Sequence, residues 1–250
     1  MPSISNLTGI LGGTFNPVHV GHLRLAAAVS DALHLDALEF MPCAVPPHKP
    51  QAGLLSFEMR VSLLNAALER ENSTHGVRFS VSSLESELPA PSYTWNLIEA
   101  WGPCHPGRRP LFILGGEDFA NLDSWFRGRE LPLHTSLAVV PRAHFGEQDF
   151  RRVVQQYWPQ VPVQELAGSE GIVYADITTE TTCFFLPLPV LDISSSLIRA
   201  KWLEGGNIQY ITPDPVIELL HRYEGEIRQV WGMEETALSS SGSERNFQRN

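Results

Sequence analysis

Gly12-Gly-Thr-Phe-Asn-Pro-Val-His-Val-Gly-His22 follows a short apolar run, Leu7 to Gly12, and leads into a Leu- and Ala-rich stretch, Val20 to His34. That order reads as a buried strand, a glycine-containing turn and the start of a helix. Glycines let a backbone approach phosphate closely, and the amides at a helix N-terminus favour anions. His19 and His22, spaced i and i+3, share one face of that helix. Imidazoles placed there can donate hydrogen bonds to phosphate oxygens as charge shifts during transfer. A bare His-x-x-His also suits a metal site or a cap beside a packed residue, but no third Cys or carboxylate ligand lies nearby in the sequence.

Further along, strand and helix patterns alternate. Asp36 to Met41, Val77 to Val81, Leu111 to Leu114 and Ser136 to Val140 read as strands. Helices are expected from Ser56, a plausible N-cap, from Thr94 to Trp101, and near Asp149 to Tyr157. Such alternation implies an α/β fold, a parallel sheet with helices on both faces, whose ligands bind beyond the carboxyl ends of the strands. Three informative loops fall there: Gly13–Pro17, Pro42–Lys49 and Gly115–Asp118. Phe145 to Pro189 shows only mixed short strands around one helix. A single domain over 1–231 and a disordered tail over 232–250, containing Ser-Ser-Ser-Gly-Ser, complete the expected organisation.

The chain has 250 residues, 43% apolar, enough for a substantial core. Its formal net charge of −10 argues against a nucleic-acid partner. No apolar run has the length of a membrane span, and the N-terminus lacks the order of a secretory signal. Three widely spaced cysteines, Cys43, Cys104 and Cys183, form no disulfide or metal pattern, which makes a reducing cytoplasm the expected setting. No heptad repeat assigns an oligomeric state.

A second string, Ile193-Ser-Ser-Ser-Leu-Ile-Arg199, opens another helix. Serine hydroxyls cap helices well, and Arg199, one turn in, can fork two phosphate oxygens. Alone it reads as a cap followed by a surface arginine. Glu39, at the end of the second strand, mimics the ribose-binding acid of a dinucleotide fold, yet Gly-x-Gly-x-x-Gly is absent.

Together the two strings resemble the signatures of the nucleotidylyltransferase superfamily. Pro42-Cys-Ala-Val-Pro-Pro-His-Lys49, Ser92-Tyr-Thr-Trp-Asn-Leu97 and Gly115-Gly-Glu-Asp-Phe-Ala-Asn-Leu-Asp-Ser-Trp125 narrow the resemblance to the bacterial nicotinate-nucleotide adenylyltransferase family. Val139-Val-Pro-Arg142 and Tyr210-Ile-Thr-Pro-Asp-Pro-Val216 match as well. The resemblance implies a Rossmann-like, doubly wound sheet with C-terminal helices. It also implies adenylyl transfer from ATP, accompanied by Mg²⁺, to nicotinate mononucleotide.

On that resemblance, Gly12, Gly13, Thr14, Phe15, His19 and His22 surround ATP from one side. Ile193, Ser194, Ser195 and Arg199 hold its phosphates from the other. His48, Lys49, Thr94, Asp118, Trp125, Phe126 and Arg142 form the mononucleotide side, with Trp125 stacking on the pyridine ring. His19, His22, Lys49 and Arg199 are the groups expected to act on the reacting phosphates, with no metal ligand among the side chains. Asn16 stands where the family often has Asp, Gly116 where Ala is common, and Trp95-Asn96 where Ile-Asp or similar is usual. Alternatives are nicotinamide mononucleotide or another phosphate acceptor, or a non-catalytic nucleotide sensor. A class I aminoacyl-tRNA synthetase is rejected for want of a Lys-Met-Ser-Lys-Ser string and a basic face.

Overall fold

Alternation along the first strand sets the layers. Leu7 and Leu11 of β1 (Leu7–Gly13) join one buried cluster and Ile10 the other. The same split recurs in β4 (Arg109–Gly115), where Leu111 and Ile113 part from Phe112 and Leu114. It holds again in β5 (Ser136–Val140), with Ala138 and Val140 on one side and Leu137 and Val139 on the other. Strands buried on both faces need helices on both. A computed structural model of the chain describes residues 4–44, 52–69, 76–142, 144–189 and 191–233.

One eight-stranded sheet includes these three strands with β2 (Ala37–Pro42), β3 (Arg78–Val81), β6 (Gln164–Glu165), β7 (Val173–Asp176) and β8 (Thr182–Phe185). Its order is β3-β2-β1-β4-β5-β8-β7-β6. From β3 to β8 in that order the pairings are all parallel, with Gly9 opposite Leu38 and Leu11 opposite Ile113. Strand order reverses between β1 and β4, so a crevice opens where their carboxyl ends diverge.

The helices cover both faces. α1 (Val20–Leu33), α2 (Phe57–Leu68), α6 (Ser195–Leu203) and α7 (Asp214–Arg222) contribute Val29, Leu64, Ile198, Trp202 and Leu220 to the first cluster. α3 (Thr94–Cys104) and α5 (Glu147–Tyr157) contribute Trp101 and Phe150 to the second, and the short α4 (Gly116–Ala120) adds Phe119. Ser56 caps α2 as expected, its Oγ accepting from the Met59 amide at 3.1 Å.

The far edge departs from an all-parallel sheet: β7 pairs antiparallel with both β8 and β6. Only residues 177–181 separate β7 from β8, and a connection that short can close a hairpin but not a parallel crossover. After α7, residues 224–233 are also helical, with Trp231 fully buried. From residue 234 the expected tail lies outside the described residues.

Candidate functional site

His19 is the N-cap of α1, and its ring lies stacked on His22, centroids 3.7 Å apart. The stack exists because Gly21 has no side chain. A Cβ there would stand 3.0 Å from His19 Nδ1 and 3.1 Å from its Cε1. The His19 backbone N–H donates to His22 Nδ1 at 3.2 Å. That nitrogen therefore carries no proton, and the neutral His22 ring is the Nε2–H tautomer, a hydrogen-bond donor. Phe15, at φ +48° and buried, meets the same ring edge-on at 4.9 Å. Burial pushes the His19 pKa down to about 4, so it is a neutral imidazole near pH 7. Its Nδ1 is buried without a hydrogen-bond partner among the described residues.

The second string docks on the first. Arg199 Nη1 donates to the Asn16 carbonyl at 2.9 Å, and Ser195 Oγ donates to the Pro17 carbonyl at 2.9 Å. Ile193 packs over Gly21, its Cβ 3.8 Å from where a glycine Cβ would be. Ser194 caps α6, accepting from the Leu197 amide, and Arg199 Nη2 donates to Ser196 Oγ at 3.2 Å. Arg199 is only 9% exposed and holds the turn before α1 from beneath. Gly12 and Gly13 end β1 in the same place.

Asn16 is the hub of this junction. Its Nδ2 donates to the Gly53 carbonyl at 2.7 Å, while Oδ1 accepts from the Leu55 amide and from Trp231 Nε1. A carboxylate could not make the first of these bonds. That accounts for Asn rather than Asp at this position.

Across the crevice, Asp118 and Arg142 flank Gly115 at the end of β4. Arg142 Cδ and Asp118 Oδ2 lie 3.4 and 3.5 Å from where a Cβ on that glycine would stand. Burial raises the Asp118 pKa above the ordinary carboxylate value, against the pull of Arg142. Gly116 accommodates Phe145: a methyl group on that glycine would overlap the phenyl ring, which explains the absence of alanine. Thr94 begins α3, whose N-cap Tyr93 supplies no side-chain hydrogen bond. Tyr93 stacks on the half-exposed Phe126 at 4.9 Å, joining the Ser92–Leu97 and Trp125–Phe126 segments. Trp125 meets Phe112 edge-on at 6.4 Å. Trp95 is buried against His134 and covered by the Arg127 guanidinium, 3.7 Å from its ring. His48 and Lys49 lie outside the described residues.

Two residues were not singled out from sequence. Arg60 of α2 is fully buried, and it donates to the carbonyls of Leu55, Thr14, Cys43 and Ala44 at 3.1, 2.9, 2.7 and 3.3 Å. Burial lowers its pKa, while Cys43 and Glu85 favour the charged form. Glu85 Oε1 accepts from the Ala44 amide at 3.2 Å and from Ser92 Oγ at 2.7 Å. The available signal was phase: Arg60 shares the buried face of α2 with Leu63, Leu64 and Ala67. Glu39 is no ribose acid here. Its two oxygens accept from Trp101 Nε1 and pair with His105 Nε2, both at 2.8 Å.

Among the described residues no group of three His, Cys, Asp or Glu could hold a metal ion. No helix among the described residues is long and apolar enough to cross a membrane.

A family model described as Cytidylyltransferase-like matches residues 10–201. "Probable nicotinate-nucleotide adenylyltransferase" of Geobacter metallireducens is 34% identical over 214 residues, covering 84% of this chain and 93% of that protein. Its namesake in Methylococcus capsulatus is 32% identical over 220 residues, covering 86% and 97%. Among solved structures, Plasmodium falciparum nicotinic acid mononucleotide adenylyltransferase complexed with NaAD superposes with a TM-score of 0.63 at 18% identity, over 87% of this chain and 96% of that one. The same enzyme complexed with APC gives 0.62 over 88% and 96%, also at 18% identity. At that identity the structural match speaks to the fold.

Proposed function

Since this chain belongs to the nicotinate-nucleotide adenylyltransferase family within the cytidylyltransferase-like proteins, we propose that its crevice joins nicotinate mononucleotide to the adenylyl group of ATP, giving nicotinate adenine dinucleotide and pyrophosphate for NAD biosynthesis. The observation that carries this reading is the docking of Ile193–Arg199 on Asn16–Pro17, which brings two phosphate-suited strings to one end of the sheet.

In the reaction, a phosphate oxygen of the mononucleotide forms a bond to the α-phosphorus of ATP. The bond from that phosphorus to the oxygen bridging the β-phosphate breaks, and pyrophosphate leaves. The nucleophile is already an anion, so no general base is required. Catalysis then consists of alignment and of donors placed where negative charge spreads. His22 offers a neutral N–H donor, His19 a second imidazole, and Ser195 and Arg199 close the phosphate side. Lys49 and His48 are assigned to the mononucleotide phosphate. Mg²⁺ bound together with ATP would supply charge neutralisation for the leaving group.

On the other side, Trp125 is assigned to the pyridine ring, Asp118 to a ribose hydroxyl and Arg142 to the mononucleotide side. The α3 N-terminus is left without a side-chain cap, and backbone amides there suit a carboxylate better than a carboxamide. That supports nicotinate over nicotinamide. Three free cysteines suit a reducing cytoplasm.

Pyrophosphate release with ATP and Mg²⁺, offered each mononucleotide separately, tests the reading. Turnover of the acid well above the amide is the expected result. Faster turnover of the amide overturns the specificity, and ATP binding without turnover of either overturns the activity.

A further inference from the structure

Arg60 is a buried cation whose hydrogen bonds described above all go to main-chain carbonyls, from three separate segments. Thr14 belongs to the loop after β1, on the side assigned to ATP. Cys43 and Ala44 follow β2 and lead into the stretch that contains His48 and Lys49. Leu55 precedes α2 itself. One planar group therefore spans both substrate sides at the carboxyl end of the sheet. The Cys43 amide reinforces the tie by donating to the Gly13 carbonyl at 2.8 Å.

Stability alone is a poor reason for such a residue. A charge taken out of water is costly, and an apolar side chain of similar volume often fills such a space at equal or better stability. What an apolar side chain cannot do is hold four carbonyls of three segments at once. A lysine cannot do it either, because its ammonium is a compact point with no fork.

Glu85 completes the arrangement from the opposite direction. It grips the amide of Ala44, whose carbonyl Arg60 holds, and it also grips Ser92, two residues before Thr94. Ala44 is thus fixed at both of its main-chain polar groups. The chain from Thr14 through Arg60, Ala44 and Glu85 to Ser92 links the side assigned to ATP to the side assigned to the pyridine ring.

Resting on the adenylyl-transfer reading above, we propose that Arg60 and Glu85 are positioning residues that set the separation between bound ATP and bound mononucleotide, and so act on the transfer step itself. In-line attack is sensitive to sub-ångström placement of the reacting atoms, whereas each substrate taken alone makes its contacts within one side. Loss of the link lowers kcat and leaves separate binding nearly intact.

The experiment uses Arg60→Ala and Arg60→Lys in the full chain, with folding checked by circular dichroism. Binding of ATP alone and of nicotinate mononucleotide alone is measured by calorimetry, alongside steady-state kinetics. Both variants are expected to lose about 10²-fold in kcat while each separate Kd stays within about fivefold. Millimolar guanidinium is expected to restore about tenfold of that loss to Arg60→Ala, where equal sodium chloride does not. If Arg60→Ala does not fold, Arg60→Lys decides the matter. A kcat within about threefold of wild type overturns the proposal, as does a loss that merely tracks weakened binding of both substrates. Glu85→Gln keeps an acceptor oxygen and is expected near wild type, whereas Glu85→Leu should lose about tenfold in kcat; equal behaviour of the two overturns the role of Glu85. Wild-type turnover is the separate control on the functional reading. Should another acceptor prove correct, the same variants are compared with that acceptor.

Discussion

At the scale of single residues, the two histidines differ in environment. His22 is held as an Nε2–H donor by the His19 amide, whereas His19 is only 6% exposed and kept neutral. His22→Ala should lower kcat by about 10²–10³ with the circular dichroism spectrum unchanged, the usual loss for one transition-state donor. Steady-state pyrophosphate release checks it. The depressed His19 pKa has a stability consequence of definite sign. Above pH 6.5 both the folded and unfolded states hold this ring neutral. As pH falls from 6.5 toward about 4 the unfolded chain takes up a proton that the folded chain resists. Stability should therefore drop over that window by up to about 3 kcal/mol. Urea titrations at several pH values read the slope, and His19→Asn should flatten it.

At the scale of elements, the β4–α4 turn is the most sensitive to small additions. Gly116→Ala places a methyl into the Phe145 ring. It should cost about 1–3 kcal/mol, and Gly116→Ala with Phe145→Leu should recover part of that in a double-mutant cycle. Which elements sequence could foresee follows from range. β1, the turn and α1 are contiguous, with their own hydrophobic period, and the expected and observed bounds agree closely. The β7–β8 edge was obscure because its strands are four residues each and take their direction from a hairpin. Thr94 was readable as part of a string and Phe126 as the residue following one, but not the Tyr93–Phe126 stack that joins the two segments. Asn16 was read as a departure from a pattern. Its meaning lies in partners 37 and 215 residues away, which no local window reaches. Arg60 was overlooked for a different reason: a cation on an apolar helix face looks like a surface residue unless its phase is counted.

At the scale of the whole molecule, the site is the place where distant parts of the chain are fastened together. In a chain of net charge −10, two guanidinium groups are nevertheless buried beneath the crevice, Arg60 fully and Arg199 almost so. The helical stretch 224–233 takes part through Trp231, which packs edge-on against Trp202 at 5.2 Å and donates to Asn16. Trp231→Ala should cost about 3–5 kcal/mol through the cavity it leaves. Chemical denaturation measures this, and kcat should fall as well, because Asn16 loses a partner. The same tie has a consequence for biosynthesis. A ribosome delivers the glycine-rich turn within the first moments of translation, at about 5–20 residues per second. That turn must then wait, as an unfinished seam, until nearly all of the remaining described chain has emerged and Trp231 can lock it from behind.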